Sequence, residues 1–209
     1  MTADASDLPG DERLIEANGD GAELFDDPTL FYLSYREHIE RWHALKDRAN
    51  QAVHQYFLGL REDVEVIAER EELAAGLFKT GNPFRSLLLW PSAAVALEDD
   101  QPPIAIGLRW PHKRPAIDEP GHAPRVGVRV APRQEQLREE FLSTGEPDTR
   151  RLRDQHGFRS DNRWPAFREV PGDPGWWADL DGYRNTLLEA VQTTVDIFGE
   201  RLRSLYPRV

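Results

Sequence analysis

The sequence contains no cysteine. This absence excludes disulfide bonds, a thiolate nucleophile and cysteine-ligated zinc or iron–sulfur centres. Long apolar runs are missing too, because the longest local stretches, residues 87–90 and 93–97, fall far short of the roughly 20 residues that span a bilayer. The N-terminus lacks the basic and apolar regions of a secretory signal, so we expect a soluble cytoplasmic protein with no membrane partner.

The formal net charge of −11 over 209 residues is distributed unevenly. Residues 1–27 contain nine acidic residues and one arginine, a net charge of −8, among few apolar side chains and interspersed proline and glycine. This composition predicts a disordered acidic tail over residues 1–27. Residues 28–209 carry the remaining −3 and are rich enough in Trp, Phe and Leu to bury a core, so we expect them to form one domain.

A long amphipathic pattern begins where the tail ends. Asp26 and Asp27 precede Pro28, an order typical of a helix N-cap followed by proline at the first helical position. Apolar residues then recur at steps of three and four as far as Ile67, and Gly76 ends the pattern. This spacing predicts one long helix over residues 28–75, or two nearly collinear helices with a bend at Gly59. A homodimer is expected if the apolar stripe of this helix extends beyond the sheet.

Alternating apolar and polar residues predict strands in the middle of the chain. The clearest alternation covers residues 104–110 and 126–130, and shorter apolar runs indicate strands at 87–90, 93–97 and 164–170. Residues 132–142 predict a short helix, and residues 177–205 predict a long C-terminal one. The expected class is therefore α+β: a long N-terminal helix, an antiparallel sheet of three to five strands, a short helix, and a long C-terminal helix packed on one sheet face.

The polar side of the two clearest strands is basic. Residues 109–133 carry six cations and two anions, and two glycines on the polar side predict a face that is flat where they lie. Arginines on such a face often serve only solubility, but the pattern also favours docking of phosphate, nucleic acid or an acidic protein. The residues that share this side are Gly107, Arg109, Arg125, Gly127 and Arg129, and the predicted binding residues are Arg109, Lys113, Arg114, Arg125 and Arg129.

The dipeptide Trp-Pro occurs three times, as Trp90-Pro91, Trp110-Pro111 and Trp164-Pro165. One interpretation is packing, in which tryptophan fills the core rim and proline begins or ends a strand because it has no N–H to donate. The other is that tryptophans beside cations stack on the bases of single-stranded nucleic acid. The second interpretation adds Trp110, Arg163 and Trp164 to the predicted binding residues.

The C-terminal half has a recognisable order of elements. Two strands and a short helix lead to the strand-like run Arg163-Trp164-Pro165-Ala166-Phe167, and Trp176-Trp177-Ala178-Asp179-Leu180 opens the terminal helix. Over about residues 86–205 this order resembles that of small uncharacterised α+β domains that accompany bacterial restriction and defence proteins. The resemblance implies an accessory role linked to nucleic acid, and it implies no catalytic residue.

The leading hypothesis is therefore a non-enzymatic binding module that docks an anionic partner on its basic sheet face, with the acidic tail competing for that face. No cofactor, metal site or catalytic residue is predicted, because the chain lacks a Gly-x-Ser-x-Gly elbow, a Gly-x-Gly-x-x-Gly loop and a P-loop. One alternative is a hydrolase or nuclease whose first candidates are His112, Asp118 and His122, which share one predicted loop. A second is an oligomerisation protein that acts through its long helices.

Overall fold

The computed structural model describes residues 26–80, 84–92, 101–111, 123–143, 155–173 and 175–206. They include the helices α1 (Asp27–Leu58), α2 (Arg61–Arg70), α3 (Glu135–Ser143) and α4 (Leu180–Ser204), with a short 3-10 turn at Trp176–Ala178. They also include the strands β1 (Leu73–Lys79), β2 (Phe84–Pro91), β3 (Ile104–Pro111), β4 (Arg125–Val130) and β5 (Ala166–Glu169). The predicted α+β class and its order of long helix, sheet, short helix and long helix are confirmed.

The five strands form one antiparallel meander in the order β1-β2-β3-β4-β5. Each strand pairs with its neighbours in sequence, and the connection between β4 and β5 contains α3. The register sets Gly107 opposite Gly127 and Arg109 opposite Arg125. All the glycines and arginines that alternation placed on one side therefore share one face of the sheet.

The hydrophobic core lies on the other face, which we call the helix-side face. α2 and α4 contact this face. Alternate strand residues such as Leu87, Ile106 and Val128 are almost fully buried there against Val191 and Phe198 of α4. The alternation in β3 and β4 thus predicted which side of the sheet the helices cover, because that side carries the apolar residues of these two strands.

The chain divides into two compact units, residues 1–46 and 47–209. The described part of the first unit, residues 26–46, is helical. Asp26 is its N-cap and accepts a hydrogen bond from the Thr29 N–H at 3.1 Å. The helix begins at Asp27, so Pro28 is its second residue, whereas the sequence predicted Pro28 as the first. The predicted tail residues 1–25 lie outside the described residues.

The break between α1 and α2 falls at Gly59 and Leu60, where the sequence predicted a bend. The helical pattern ends at Arg70, and β1 follows after a two-residue turn in which Glu72 has a φ of 55°. The prediction that the helix extends to residue 75 was wrong, because residues 73–75 begin β1, whose sequence LAAGLFK is dominated by small residues and lacks clear alternation. The predicted strand at 93–97 lies outside the described residues. No helix in the described part of the chain is long and apolar enough to cross a membrane.

Candidate anion-binding face

The face of the sheet opposite the helices, which we call the second face, carries the predicted arginines. Arg109 in β3 lies directly opposite Arg125 in β4, and Arg129 lies opposite Ala105. Like charges at directly opposed positions destabilise a strand pair unless other charges compensate. The surroundings of each arginine therefore decide what this face can bind.

The glycine patch on the second face is covered by other side chains. Trp164 lies over Gly107: a Cβ added there would meet the Trp164 ring at 3.3 Å and Leu88 Cδ2 at 2.9 Å. Trp164 is 1% exposed and Leu88 fully buried. The segment before β5 thus folds back over the centre of the second face, and the polar surface that remains lies at its margin.

Asp161 holds this segment in place. Its Oδ1 accepts hydrogen bonds from the backbone N–H groups of Arg163 (2.9 Å) and Trp164 (2.8 Å), while its own N–H donates to the Trp164 carbonyl at 2.9 Å. The Arg163 carbonyl in turn accepts from the Val130 N–H at the end of β4. An aspartate side chain that accepts hydrogen bonds from the backbone N–H groups of the residues that follow it commonly stabilises a tight turn. Here the turn fixes the position of Trp164.

Arg125 is neutralised by two carboxylates. Its guanidinium lies 3.1 Å from Asp161 Oδ2 and 3.1 Å from Glu169 Oε1, and it also stacks over the Phe167 ring at 4.5 Å. A guanidinium with two carboxylate partners has little attraction left for an external anion. Arg125 therefore stabilises the face rather than offering a free charge.

Arg109 differs from Arg125 in its partners. Its guanidinium carbon lies 4.3 Å from the centroid of Phe84 and 5.4 Å from that of Trp164. Among the residues that the structure describes, no carboxylate forms an ion pair with it. Burial, followed by the nearby charge of Arg125, lowers the pKa of Arg109 to about 10, so this side chain is still a cation at neutral pH. The two aromatic rings hold the cation in place.

Arg109 borders a surface hollow of about 410 Å³. We call it the Arg109 hollow. The other residues that line it are Asp161, Asn162, Arg163 and Trp164. Arg163 is exposed, so a second guanidinium lies at the edge of the hollow beside Arg109, which is held between two rings. Asp161, the one carboxylate among the described residues of the lining, accepts hydrogen bonds from Arg125 and from two backbone N–H groups.

Arg129 is 4% exposed, and its Nη2 donates to Gln101 Oε1 at 3.3 Å. Burial, with a smaller contribution from the charge of Arg163, lowers the pKa of Arg129 to about 10. A neutral amide is its polar partner within the described part of the chain. Arg129 therefore adds positive potential to the second face without reaching its surface.

Trp110 lies on the helix-side face, away from the arginines. It is fully buried, stacks on Phe57 with ring centroids 5.3 Å apart, and donates from Nε1 to His54 Nδ1 at 3.2 Å. Pro91 and Pro111 end β2 and β3, and Trp164-Pro165 stands just before β5. The packing interpretation of Trp-Pro is thus confirmed for Trp110 and Trp164, and neither ring is exposed for base stacking.

Several predicted residues lie outside the described residues. They are the binding candidates Lys113 and Arg114 and the catalytic candidates His112, Asp118 and His122. Within the described ranges, no group of three or more His, Asp or Glu side chains is arranged to hold a metal ion.

Three residues of this site were not singled out from the sequence: Phe84, Asp161 and Asn162. The run Asp161-Asn162 before Arg163-Trp164 is a turn signal that could have placed Asp161 at the start of a tight turn. Phe84 has no such signal, because its contact with Arg109 depends on the register between β2 and β3.

No family model, curated protein or solved structure matches this chain.

Proposed function

We propose that this chain is a non-enzymatic binding module that docks nucleic acid through a phosphate group in the Arg109 hollow. The observation that carries the proposal is the state of Arg109, a part-buried cation held by Phe84 and Trp164 without an ion-pairing carboxylate in the described part of the chain. Removing a charge from water is costly unless a counter-charge compensates. A phosphate oxygen in the hollow would supply that compensation.

Phosphate suits this site better than a lone carboxylate does. A guanidinium fixed between aromatic rings presents its N–H groups in a planar fork that matches two phosphate oxygens. The rings restrict the side chain before the ligand arrives, so little conformational entropy is lost on binding. Arg163 at the rim would contact the same or a neighbouring phosphate, and the Asn162 amide offers a further donor.

Binding is favoured over catalysis by the groups that line the hollow. Its carboxylate, Asp161, is held by Arg125 and by two backbone N–H groups, which leaves it poorly placed to accept a proton from a substrate. The hydrolase or nuclease alternative rests on His112, Asp118 and His122 and stays a prediction.

The test is fluorescence anisotropy of a short fluorescein-labelled oligo-dT, titrated with the full chain at low salt. Arg109→Gln is expected to weaken binding about tenfold and to reduce the salt dependence of the affinity by about one phosphate contact. Arg85→Gln is the matched control, because Arg85 lies opposite Trp110 and thus on the helix-side face. The control removes the same charge and is expected to retain nearly full affinity.

Equal losses in the two variants would contradict the proposal, since they would show only an effect of total charge. Absence of binding by the unmodified chain at low salt would also contradict it. An acidic peptide that binds in place of the oligonucleotide, with the same dependence on Arg109, would assign the hollow to an acidic protein instead.

A second candidate function is self-association through α1, and it rests on exposed apolar residues in the first unit. Phe31 is 61%, Tyr35 51%, Trp42 68% and Leu45 50% exposed, at steps of three, four and seven that place them on one side of the helix. An apolar stripe of this kind is typical of a surface that meets a partner. Light scattering tests it: a monomer whose mass is independent of concentration contradicts self-association, and a dimer lost in Trp42→Glu supports it.

A further inference from the structure

β1 forms one edge of the sheet. It pairs with β2 over its whole length, from Leu73 opposite Pro91 to Lys79 opposite Arg85, and β2 is its neighbour among the described strands. Backbone N–H and C=O groups on the outer side of an edge strand are a template for another extended chain. The sequence of β1, LAAGLFK, has no proline and one charge at its end, so it lacks the usual devices that block such pairing.

The surface beside this edge is a hollow between α2 and β1, of about 430 Å³. The residues of β1 that line it are Leu73 and Ala75. Val66 of α2 is 63% exposed there, and Leu77, further along β1, is 38% exposed. An added strand would direct every second side chain toward this apolar floor.

The wall of the same hollow is acidic. Glu62, Glu65 and Glu69 of α2 line it, and no lysine or arginine does so among the residues described. Arg61 partly neutralises Glu65, at 2.7 Å. Glu62 and Glu69 are exposed and lie two helical turns apart on the same side of α2. A chain added to β1 would therefore carry alternate side chains into a negative potential.

We propose that the edge of β1 binds an extended polypeptide segment with basic residues at alternate positions. Backbone hydrogen bonds to β1 provide the affinity, and lysine or arginine side chains next to Glu62 and Glu69 provide the selectivity. This surface is separate in sequence and in chemistry from the Arg109 hollow. An experiment can therefore contradict one of the two proposed sites and leave the other unaffected.

Charge also distinguishes this partner from a second copy of the chain. Antiparallel pairing of two β1 strands about a two-fold axis normal to the sheet places both helix-side faces on the same side. The acidic surfaces of the two α2 helices would then approach each other, and like charges oppose association. A basic segment meets no such repulsion.

The experiment uses the full chain and a fluorescein-labelled peptide of alternating lysine and valine. We expect saturable binding, together with slower hydrogen exchange of the backbone amides in residues 73–79. The same peptide N-methylated at every amide keeps its charge but loses its backbone donors on both edges, and it is expected not to bind. Glu62→Lys/Glu69→Lys is expected to weaken binding about tenfold.

The matched control is Glu189→Lys/Glu200→Lys, which makes the same change of charge at exposed positions on α4 and is expected to leave the affinity nearly unchanged. Equal binding of the N-methylated peptide, or no change in exchange over residues 73–79, would overturn the proposal. The proposal would also be overturned if hydrogen exchange of those amides slowed with rising protein concentration in the absence of peptide, because a second copy of the chain would then occupy the edge.

Discussion

The guanidinium carbon of Arg109 lies 4.3 Å from the centre of the Phe84 ring, across the boundary between β3 and β2. This contact fixes a cation that no described carboxylate neutralises, while Arg125, directly opposite on β4, is paired with Asp161 and Glu169. Two arginines that the sequence makes equivalent thus have different roles. Arg125 stabilises the second face, and Arg109 is the residue we propose to hold a ligand.

Arg109→Lys tests whether shape as well as charge matters in the hollow. Lysine keeps the positive charge but lacks the planar fork and stacks less well on Phe84 and Trp164. We expect oligo-dT affinity between that of the unmodified chain and that of Arg109→Gln, with the salt dependence of the unmodified chain. An affinity equal to that of the unmodified chain would show that any cation at this position suffices.

Asp161→Asn separates the ion pair of Asp161 from its hydrogen bonds to the backbone. The amide oxygen still accepts from the N–H groups of Arg163 and Trp164, but the attraction to Arg125 is lost. Because this pair is only partly buried, we expect the free energy of unfolding to fall by about 1 kcal/mol, measured by urea denaturation. Oligo-dT affinity is expected to rise, since one negative charge leaves the hollow. A fall in affinity at unchanged stability would contradict this assignment.

Gly127→Ala is expected to be far more damaging than Gly107→Ala. A Cβ at Gly127 would lie 2.5 Å from the Cα of Phe167 and closer still to the Ala166 carbonyl oxygen, and both are backbone atoms of β5 that cannot move alone. At Gly107 the nearest atom is the end of the Leu88 side chain. We expect losses of about 3 kcal/mol or more and about 1 kcal/mol, respectively, in the free energy of unfolding. Similar losses in the two variants would contradict the close approach of β4 and β5.

Tyr206→Phe should change how stability depends on alkaline pH. The Tyr206 hydroxyl bonds to the Ile104 carbonyl, and burial raises its pKa from 10.0 to about 12. A raised pKa means that the folded state holds this proton more tightly than the unfolded state does, so stability present below pH 10 is lost as the pH rises toward 12. The stability difference between the unmodified chain and the phenylalanine variant is expected to shrink over that interval in urea titrations. A constant difference would contradict the raised pKa.

Removal of residues 1–25 tests the predicted role of the acidic tail. This deletion keeps Asp26, the N-cap of α1, and removes seven acidic residues and one arginine. We expect stronger oligo-dT binding at low salt, because less negative charge repels the nucleic acid and none competes for the basic face. The gain should vanish at high salt, where charges are screened. Unchanged affinity at low salt would contradict competition by the tail.

Local pattern accounts for much of the fold. Period-two alternation over 104–110 and 126–130 predicted β3, β4 and their common face, because the side chains of a strand alternate and a half-buried sheet needs one apolar side. The bend at Gly59 and the terminal helix followed from spacing in the same way. The predicted helix was extended wrongly into the start of β1, because the small residues in LAAGLFK fit a helix or a strand equally well and only pairing with β2 decides between them.

That Arg109, Arg125 and Arg129 share a face followed from the sequence alone, since alternation along a strand is a local property of the backbone. Which of them forms ion pairs with described carboxylates depended on the assembled fold. Phe84, Asp161 and Glu169 come from other segments, and their distances to the arginines depend on strand register and on the turn before β5. Burial and ion pairing are properties of the assembled fold, so local pattern could not distinguish Arg125, which has two carboxylate partners, from Arg109, which forms no ion pair with a described carboxylate.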